Sequence, residues 1–558
     1  MKTLRQGFFS RGTAFGAGMA MLMASGAASA DAGVVKKAME DELARSLSAL
    51  HMGASGPPYY LRYTVIDSDR TRIGARLGAL VANDQSKGRS ARIDARVGSA
   101  VEDNTNFRES LGGTAGGVSD EDDYAALRRD LWLLTDREYK QALETLARKK
   151  ASHAVQSAEK DALPDFATAP AVQVSTEPLA PIGAAARANL EALVVRLSRV
   201  FRDFPTVNSG VVEAGATTTR RRLLTSDRTW ADESWNRIEI QIYADTTAED
   251  GQRLAASLRF SAADPAGLPG VDQMESAVRT LAKNLADQRT APAVEAGSAT
   301  VLFEGPAAAQ LAGLLFATPL SGQPVPRSAG ETARDGSASL ADKFGLRVAP
   351  TWLSVTDNPG ALGPGKRILF GSYRVDDEGV SAEPVTLIEH GVVKGLLMSR
   401  TPRKELAHSN GHGRAGDGPI HGAASSLFVT ATGGLTRPDL LAAAVRSAGP
   451  GGTVYVVRQL AEASGLARGQ TLEARVAFQY KGGKEEPVRG LSLEGFTPKK
   501  MKKDLIAAGK DVVVLDEAGS TPMSVVTPAL LFEDVDVGKP NDKNRRPPLY
   551  RSPLAETR

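Results

Sequence analysis

The densest group of residues that could do chemistry is Asp376-Asp377-Glu378, which stands directly before Gly379. Adjacent carboxylates can bind a metal ion or act as a general acid and base. Successive side chains on a strand point to opposite faces, however, so three in a row do not converge easily on one ion. Acidic residues before a glycine are typical of turns. We therefore interpret this cluster as a polar turn between two strands.

Three of the six histidines, His408, His412 and His421, lie within one short segment. His408 and His412 have the spacing of a zinc-binding pair on one helix face. The segment between His408 and His421 is rich in glycine and other helix breakers, and without a helix this spacing does not align the two imidazoles. We predict an exposed loop here and retain zinc binding by these histidines as the alternative.

A third stretch, Thr300 to Gly322, has the pattern of a strand followed by a buried helix. Thr300 to Phe303 is strand-like, Pro306 suits a first helical turn, and Pro319 ends the run. The helix carries no histidine, cysteine, acidic or basic residue, although a strand that feeds a helix is a common place for catalytic groups. The chain also has no G-x-S-x-G elbow and no Walker phosphate loop.

The first 30 residues have the pattern of a secretory signal peptide. Basic residues are followed by the small, apolar run Ala14 to Ala24 and then by Ala28-Ser29-Ala30, which predicts cleavage before Asp31. We therefore expect an exported protein, periplasmic or extracellular. No later segment is apolar enough to span a bilayer.

Composition excludes several classes of function. The chain has no cysteine, so thiol catalysis and thiolate metal ligands are impossible. Loss of the signal peptide removes three basic residues, which leaves 65 basic against 65 acidic ones. A nearly neutral protein of this kind gives no reason to expect a nucleic-acid partner.

The remaining 528 residues are long enough for two domains. We place an α+β domain at 31–290, with a proline-bearing linker at about 164–181, and a β-rich domain at 291–537, with a disordered tail at 538–558. Helices are expected over 31–50, 124–131, from Thr135 (a capping box with Glu138), 184–201, 274–285 and 503–508. Strands are expected over 59–65, 73–81, 93–97, 238–242, 352–356, 368–375, 385–389, 392–398 and 528–537.

The second half resembles the TldD/PmbA family of metalloprotease-related proteins. The resemblance covers roughly 298–537 and is carried by four ordered segments: TVLFEGPAAAQLAGLLFATPLSG, RVDDEGVSAEPVTLIEHGVVKGLLMSR, SNGHGR and TPMSVVTPALLFEDVDV. It implies an α+β fold, with a mixed N-terminal domain followed by an antiparallel, barrel- or sandwich-like C-terminal domain.

Catalytic members of this family carry HExxxH on the helix of the first segment, where two histidines bind zinc and the glutamate acts as general base. The segment that follows this motif in the family is matched here by Pro319-Leu320-Ser321-Gly322. This match puts the histidine and glutamate positions of the motif at Gly313, Leu314 and Thr318. A later cysteine ligand would fall near Leu515 to Gly519, where this chain has none. The chain thus resembles the non-catalytic, PmbA/TldE-like branch.

The resemblance implies a catalytically degenerate metallopeptidase homologue without a cofactor. We expect it to bind peptide or unfolded polypeptide, as a homodimer or as a heterodimer with a TldD-like paralogue. Two alternatives remain. One is an active zinc peptidase with relocated ligands, and the other is an envelope structural or binding protein that keeps only the fold.

Overall fold

The computed structural model describes residues 16–53, 55–107, 110, 112–155, 163–324, 339–416, 418–461, 471–539 and 553–555. Seven helices are found in these ranges: α1 (Gly16–Ala49), α2 (Tyr124–Val155), α3 (Ala184–Arg199), α4 (Val271–Gln288), α5 (Pro306–Ala312), α6 (Arg437–Ala448) and α7 (Pro498–Asp504).

The strands form two large sheets and one small ribbon. They are β1 (Tyr60–Arg76), β2 (Ala79–Arg96), β3 (Thr114–Val118), β4 (Gln173–Ser175), β5 (Ser209–Thr225), β6 (Trp230–Thr247), β7 (Arg253–Ala262), β8 (Gly297–Phe303), β9 (Leu353–Asp357), β10 (Val385–Glu389), β11 (Val392–Val393), β12 (Gly413–Arg414), β13 (His421–Gly422), β14 (Ser426–Ala431), β15 (Val454–Leu460), β16 (Leu472–Lys481), β17 (Lys484–Val488), β18 (Leu491–Glu494), β19 (Leu505–Glu517) and β20 (Met523–Gly538).

The N-terminal domain is built on a sheet of order β3-β2-β1-β5-β6-β4, with β7 also paired to β6. Two of the three strands predicted before residue 97 are in fact parts of longer ones. The segment 73–81 turns back on itself at Leu77 and Gly78, which both have positive φ, so β1 and β2 form one long hairpin. Alternation alone could not reveal this turn, because the pattern continues through it.

Helix α2 corrects a second expectation. The sequence predicted a new helix with a capping box at Thr135, yet one unbroken helix runs from Tyr124 to Val155. Thr135 is fully buried, and its hydroxyl donates to the carbonyl of Leu131 one turn earlier, at 2.6 Å. A threonine that bonds back to the preceding turn can remain inside a helix.

The C-terminal domain is strand-rich, as expected, and contains a closed ring of strands. β20 pairs with β18 and β8, and β18-β16-β15-β8 completes the ring, while β14, β9, β10 and β11 continue the sheet outward. This is the barrel-like part of the fold. Helix α5 packs across β15, β19 and β20.

Three local predictions in this domain are wrong. Segment 368–375 forms no strand, and residues 503–508 mostly belong to β19, because α7 ends at Asp504. The predicted hairpin at 385–398 exists, but its second strand, β11, has only two residues. The predicted disordered tail lies largely outside the described residues.

The predicted linker at 164–181 is packed rather than free. The Ala167 N–H donates to the carbonyl of Arg400 in the C-terminal domain, at 2.8 Å. The ring of Phe166 contacts one arginine from each domain. The guanidinium carbons of Arg96 and Arg400 lie 3.7 and 3.8 Å from its centre. This segment therefore fastens the two domains together.

The predicted signal peptide is only partly within the described residues, since 1–15 lie outside them. Helix α1 continues across the expected cleavage position, and its residues Val34 and Val35 pack in the N-terminal core. Among the described helices, none is both long and apolar enough to cross a membrane.

The centre of the C-terminal core is a cluster of three aromatic rings. Phe303 lies 5.8 Å from Phe496 and 5.9 Å from Phe532, in edge-to-face arrangements. We expect Phe303→Ala to lower the free energy of unfolding by about 3–5 kcal/mol, because it removes a fully buried ring. Scanning calorimetry of the mature protein measures this, with the exposed Leu346→Ala as control; equal effects of the two variants would contradict it.

Candidate functional site

The stretch predicted as strand, turn and helix contains the candidate site, which is defined by the motif positions Gly313, Leu314 and Thr318. β8 leads into α5 through Gly305, which has a φ of 58°. After Ala312 the helix continues as a π turn over Gly313–Ala317. A π turn aligns residues five apart, which is the separation of Gly313 and Thr318. The structure therefore keeps a backbone that would bring two side chains at these positions together.

The residues at these motif positions have no strong metal ligand. Gly313 and Leu314 are half-buried, and Thr318 is exposed. A side chain at Gly313 would begin 3.7 Å from Cγ2 of Val525 and 3.8 Å from Cε of Met523. The site is therefore surrounded by apolar groups that can pack against a ligand but cannot bind zinc or take up a proton.

Strand β19 gives the site a free edge. β19 pairs with β20 on one side, while on the other side the only backbone pairing described is with Leu435, near Gly509. The carbonyl of Asp516 points outward, since it accepts from Arg259 Nη1 at 3.1 Å. By strand alternation, the N–H and C=O groups of Val512 and Val514 point the same way. Leu515 of this strand, together with Leu314 and Met523, is half-buried and packs against the C-terminal core.

The acidic cluster is a turn, as predicted, but it is buried at the contact between the domains. Asp376 is fully buried and accepts hydrogen bonds from the N–H groups of Glu378, Val380 and Gly413 at 2.8–2.9 Å. These three bonds satisfy the carboxylate with two donors from its own turn and one from β12. The turn does not connect two strands, because the first predicted strand is absent.

Arginines from both domains surround this turn. Arg62 donates to the Asp377 carbonyl and Arg221 pairs with the Asp377 carboxylate. Arg96 lies 3.4 Å from Glu378. Asp377 and Glu378 are therefore used for ion pairs and hydrogen bonds between the two domains. Residue spacing could not predict these arginines, because their partners are more than 150 residues away in the chain.

The carboxyl groups of Asp376 and Asp377 have different proton affinities. Burial would raise the pKa of Asp377, but Arg414 and Arg221 overcome that effect and hold the pKa at about 2. Burial, followed by the charge of Glu378, raises the pKa of Asp376 above its usual range. The turn thus combines one firmly ionised carboxylate with one that retains its proton more readily.

The structure separates the three histidines by environment. His408 and His421 are exposed, whereas His412 is fully buried. His412 Nε2 lies 3.1 Å from Asp357 Oδ1, and Nδ1 lies 3.0 Å from Asn410 Oδ1. Both ring nitrogens of His412 therefore have protein partners. Within the ranges that the structure covers, no group of three or more His, Asp or Glu side chains could hold a metal ion.

The fold and this site define a two-domain protein related to metallopeptidases. Residues 296–539 match the family described as the PmbA/TldA metallopeptidase C-terminal domain. This match assigns the C-terminal domain, over residues 296–539, to the TldD/PmbA family.

Several solved structures share the fold of this chain. TldE from Thermococcus kodakarensis superposes with a TM-score of 0.62 at 16% identity, over 90% of this chain and 100% of that one. A candidate modulator of DNA gyrase from Bacteroides thetaiotaomicron gives a TM-score of 0.60 at 14% identity, over 91% and 98% of the two chains. At these identities the likeness establishes the fold alone.

Curated relatives match over a short segment only. A metalloprotease of Methanocaldococcus jannaschii is 40% identical over 75 residues, which is 13% of this chain and 16% of that protein. A metalloprotease of Methanothermobacter thermautotrophicus is 35% identical over 88 residues, or 15% and 18% of the two. The match thus spans less than a fifth of either relative.

Glu138 lies beneath the interdomain contact and gives a pH-dependent prediction. Burial, and then the charge of Asp94, raises its pKa to about 8. The folded state therefore binds a proton that the unfolded state releases near pH 4.5, so stability falls as pH rises from about 4.5 to about 8. We expect Glu138→Gln to stabilise the protein relative to wild type at pH 9, on the order of 2 kcal/mol, and to have a smaller effect at pH 5.

Melting temperatures of wild type and variant between pH 5 and pH 9 measure this difference. Glu144→Gln is the control, because Glu144 is exposed on the same helix. A difference between Glu138→Gln and wild type that stays constant over this pH range would contradict the prediction.

Proposed function

We propose that this protein is an exported, catalytically degenerate metallopeptidase homologue that binds extended peptide. The observation that carries the proposal is the apolar site at Gly313, Leu314 and Thr318. There the π turn keeps the shape of a ligand-bearing helix, but its residues supply no zinc ligand or base. The chain also has no cysteine to complete a zinc site.

The free edge of β19 supports peptide binding. An extended peptide can add to a sheet edge through main-chain hydrogen bonds, and alternate side chains then enter adjacent pockets. Val512 and Val514 offer outward backbone groups, and the half-buried Leu314, Leu515 and Met523 are apolar side chains at the surface of the same core. Such binding needs no catalytic residue.

A partner role is consistent with this site. A peptide-binding subunit that cannot cleave would act on peptide together with a zinc-bearing paralogue. We expect a tagged form of the mature protein to co-purify either with such a paralogue or with a second copy of itself.

Export is part of the proposal. Cleavage before Asp31 would leave Val35, Ala38 and Met39 of α1 packed in the N-terminal core. We expect the mature protein to begin at Asp31 and to be recovered from the periplasm or the medium, as N-terminal sequencing of fractionated cells can determine. An unprocessed protein retained in the cytoplasm would contradict this.

Loss of catalysis has a direct test. We expect the untagged mature protein to purify without stoichiometric zinc and to leave an unstructured peptide uncleaved, with or without chelator. Chelator-sensitive cleavage that disappears in the His408→Ala/His421→Ala variant would instead establish relocated zinc ligands. Both histidines are exposed, so this variant is expected to fold.

The binding edge can be tested separately with a labelled, unstructured peptide rich in apolar residues. We expect Val514→Pro to weaken binding about tenfold, because proline removes an outward N–H and narrows the approach to the edge. Fluorescence anisotropy measures the affinity.

Gln85→Pro is the matched control. Gln85 is exposed on β2, outside the segment paired with β3. The Ala95 carbonyl accepts from the side chain of Asn104 and therefore points away from β1. Because alternate residues of a strand direct their backbone groups to the same side, the N–H of Gln85 points away from β1 as well. Equal binding by wild type, Val514→Pro and Gln85→Pro would rule out β19 as the peptide site.

A further inference from the structure

Four buried donor atoms without a hydrogen-bond partner belong to three residues on or beside one segment between the domains. They are Nε of Arg237, Nε and Nη1 of Arg414, and the hydroxyl of Ser372. A buried donor without a partner costs about 1–3 kcal/mol. Several of them together are therefore unfavourable unless something accepts from them.

The three residues are connected through segment 370–373, which carries Ser372 and contacts both arginines. Arg237 Nη2 donates to the Phe370 carbonyl at 3.3 Å, and Trp235 Nε1 donates to the Ser372 carbonyl at 2.9 Å. On the next residue, the guanidinium of Arg414 lies 4.3 Å from the ring centre of Tyr373. Arg237 and Arg414 therefore both contact the segment that carries Ser372.

The local charges are not balanced. Arg414 lies 3.5 Å from Asp377, a carboxylate that it shares with Arg221. Arg237 makes no ion pair within 4.0 Å to any residue that the structure describes. Burial, and then the charge of Arg414, lowers the pKa of Arg237 to about 10. The carboxylates of Glu239 and Asp516 act on Arg237 in the opposite sense, but neither forms an ion pair with it, so among the described residues Arg237 is a half-buried cation without a direct partner charge.

We propose that Arg237, Arg414 and Ser372 form a binding site for a small oxyanion of the carboxylate or phosphate type. A water molecule could accept from some of these donors but would leave the two guanidinium charges facing each other. An oxyanion accepts from several donors and also neutralises charge, and guanidinium groups match its geometry. Arg237 is half-buried, so part of its side chain is open to solvent.

This site does not depend on the proposed peptide function. It is formed by β6, β12 and the segment between β9 and β10, whereas the peptide edge is formed by β19. The ligand could be a free anion or the carboxylate of a bound chain, since both offer the same oxygen atoms.

Titration of the mature protein with inorganic phosphate tests the proposal, with ionic strength held constant by sodium chloride. We expect saturable binding by calorimetry and a rise in melting temperature. Arg237→Gln and Ser372→Ala should each weaken phosphate binding, Arg237→Gln by at least about tenfold because it removes a charge-assisted donor. Arg196→Gln is the control, since Arg196 is an exposed arginine with acidic partners on α4.

Two further ligands distinguish a free anion from the carboxylate of a bound chain. The first is acetate, and the second is one peptide compared with a free and with an amidated C-terminus. Acetate binding without phosphate binding, or a preference for the free C-terminus that Arg237→Gln abolishes, would also support the site and assign it to carboxylates. The proposal is overturned if neither anion binds, or if all variants respond to both anions as wild type does. Ser372→Ala keeps the test decisive if Arg237→Gln fails to fold.

Discussion

The arrangement of the two domains depends on the buried ion pairs around the turn at Asp376 to Gly379. Carboxylates from the C-terminal domain meet Arg62, Arg96 and Arg221 from the N-terminal sheet in a region that excludes water. Burying charges is costly, and the cost is recovered only when each charge has well-placed partners. The two domains therefore have to meet in one orientation, because small displacements would leave several charges unpaired.

That constraint explains other features of the fold. The turn needs close backbone contact, and a side chain at Gly413 would begin 2.5 Å from Glu378 Oε2. The segment predicted as a linker is packed because Phe166 lies between Arg96 and Arg400, two arginines of the same contact. The unpartnered donors of Arg237 and Arg414 occur at the margin of this region. There the arginines are not fully matched by carboxylates, and this mismatch is why we assign an anion to them.

The apolar site around α5 follows a different physical rule. A zinc site needs at least three ligands that converge, whereas a sheet edge needs only exposed main-chain groups and a surface to pack against. In this chain the π turn and the free edge of β19 persist beside Gly313 and Leu314, which cannot bind a metal tightly. The backbone of this region is thus present together with residues at Gly313, Leu314 and Thr318 that are not strong zinc ligands.

Sequence alone determined the α+β organisation, the family resemblance, and the positions of most helices but of fewer than half of the strands, because these follow from local periodicity and ordered motifs. It also excluded cysteine chemistry outright. Only the tertiary structure showed that the turn at Asp376 is an interdomain centre, that β1 and β2 are single long strands, and that His412 is buried against Asp357. These outcomes depend on contacts between residues far apart in the chain, and neither spacing nor composition encodes them. The stretch from Thr300 to Gly322 shows the same division: its strand and its apolar helix are visible in the sequence, whereas its π turn and the packing of α5 against β19 arise only from the tertiary structure.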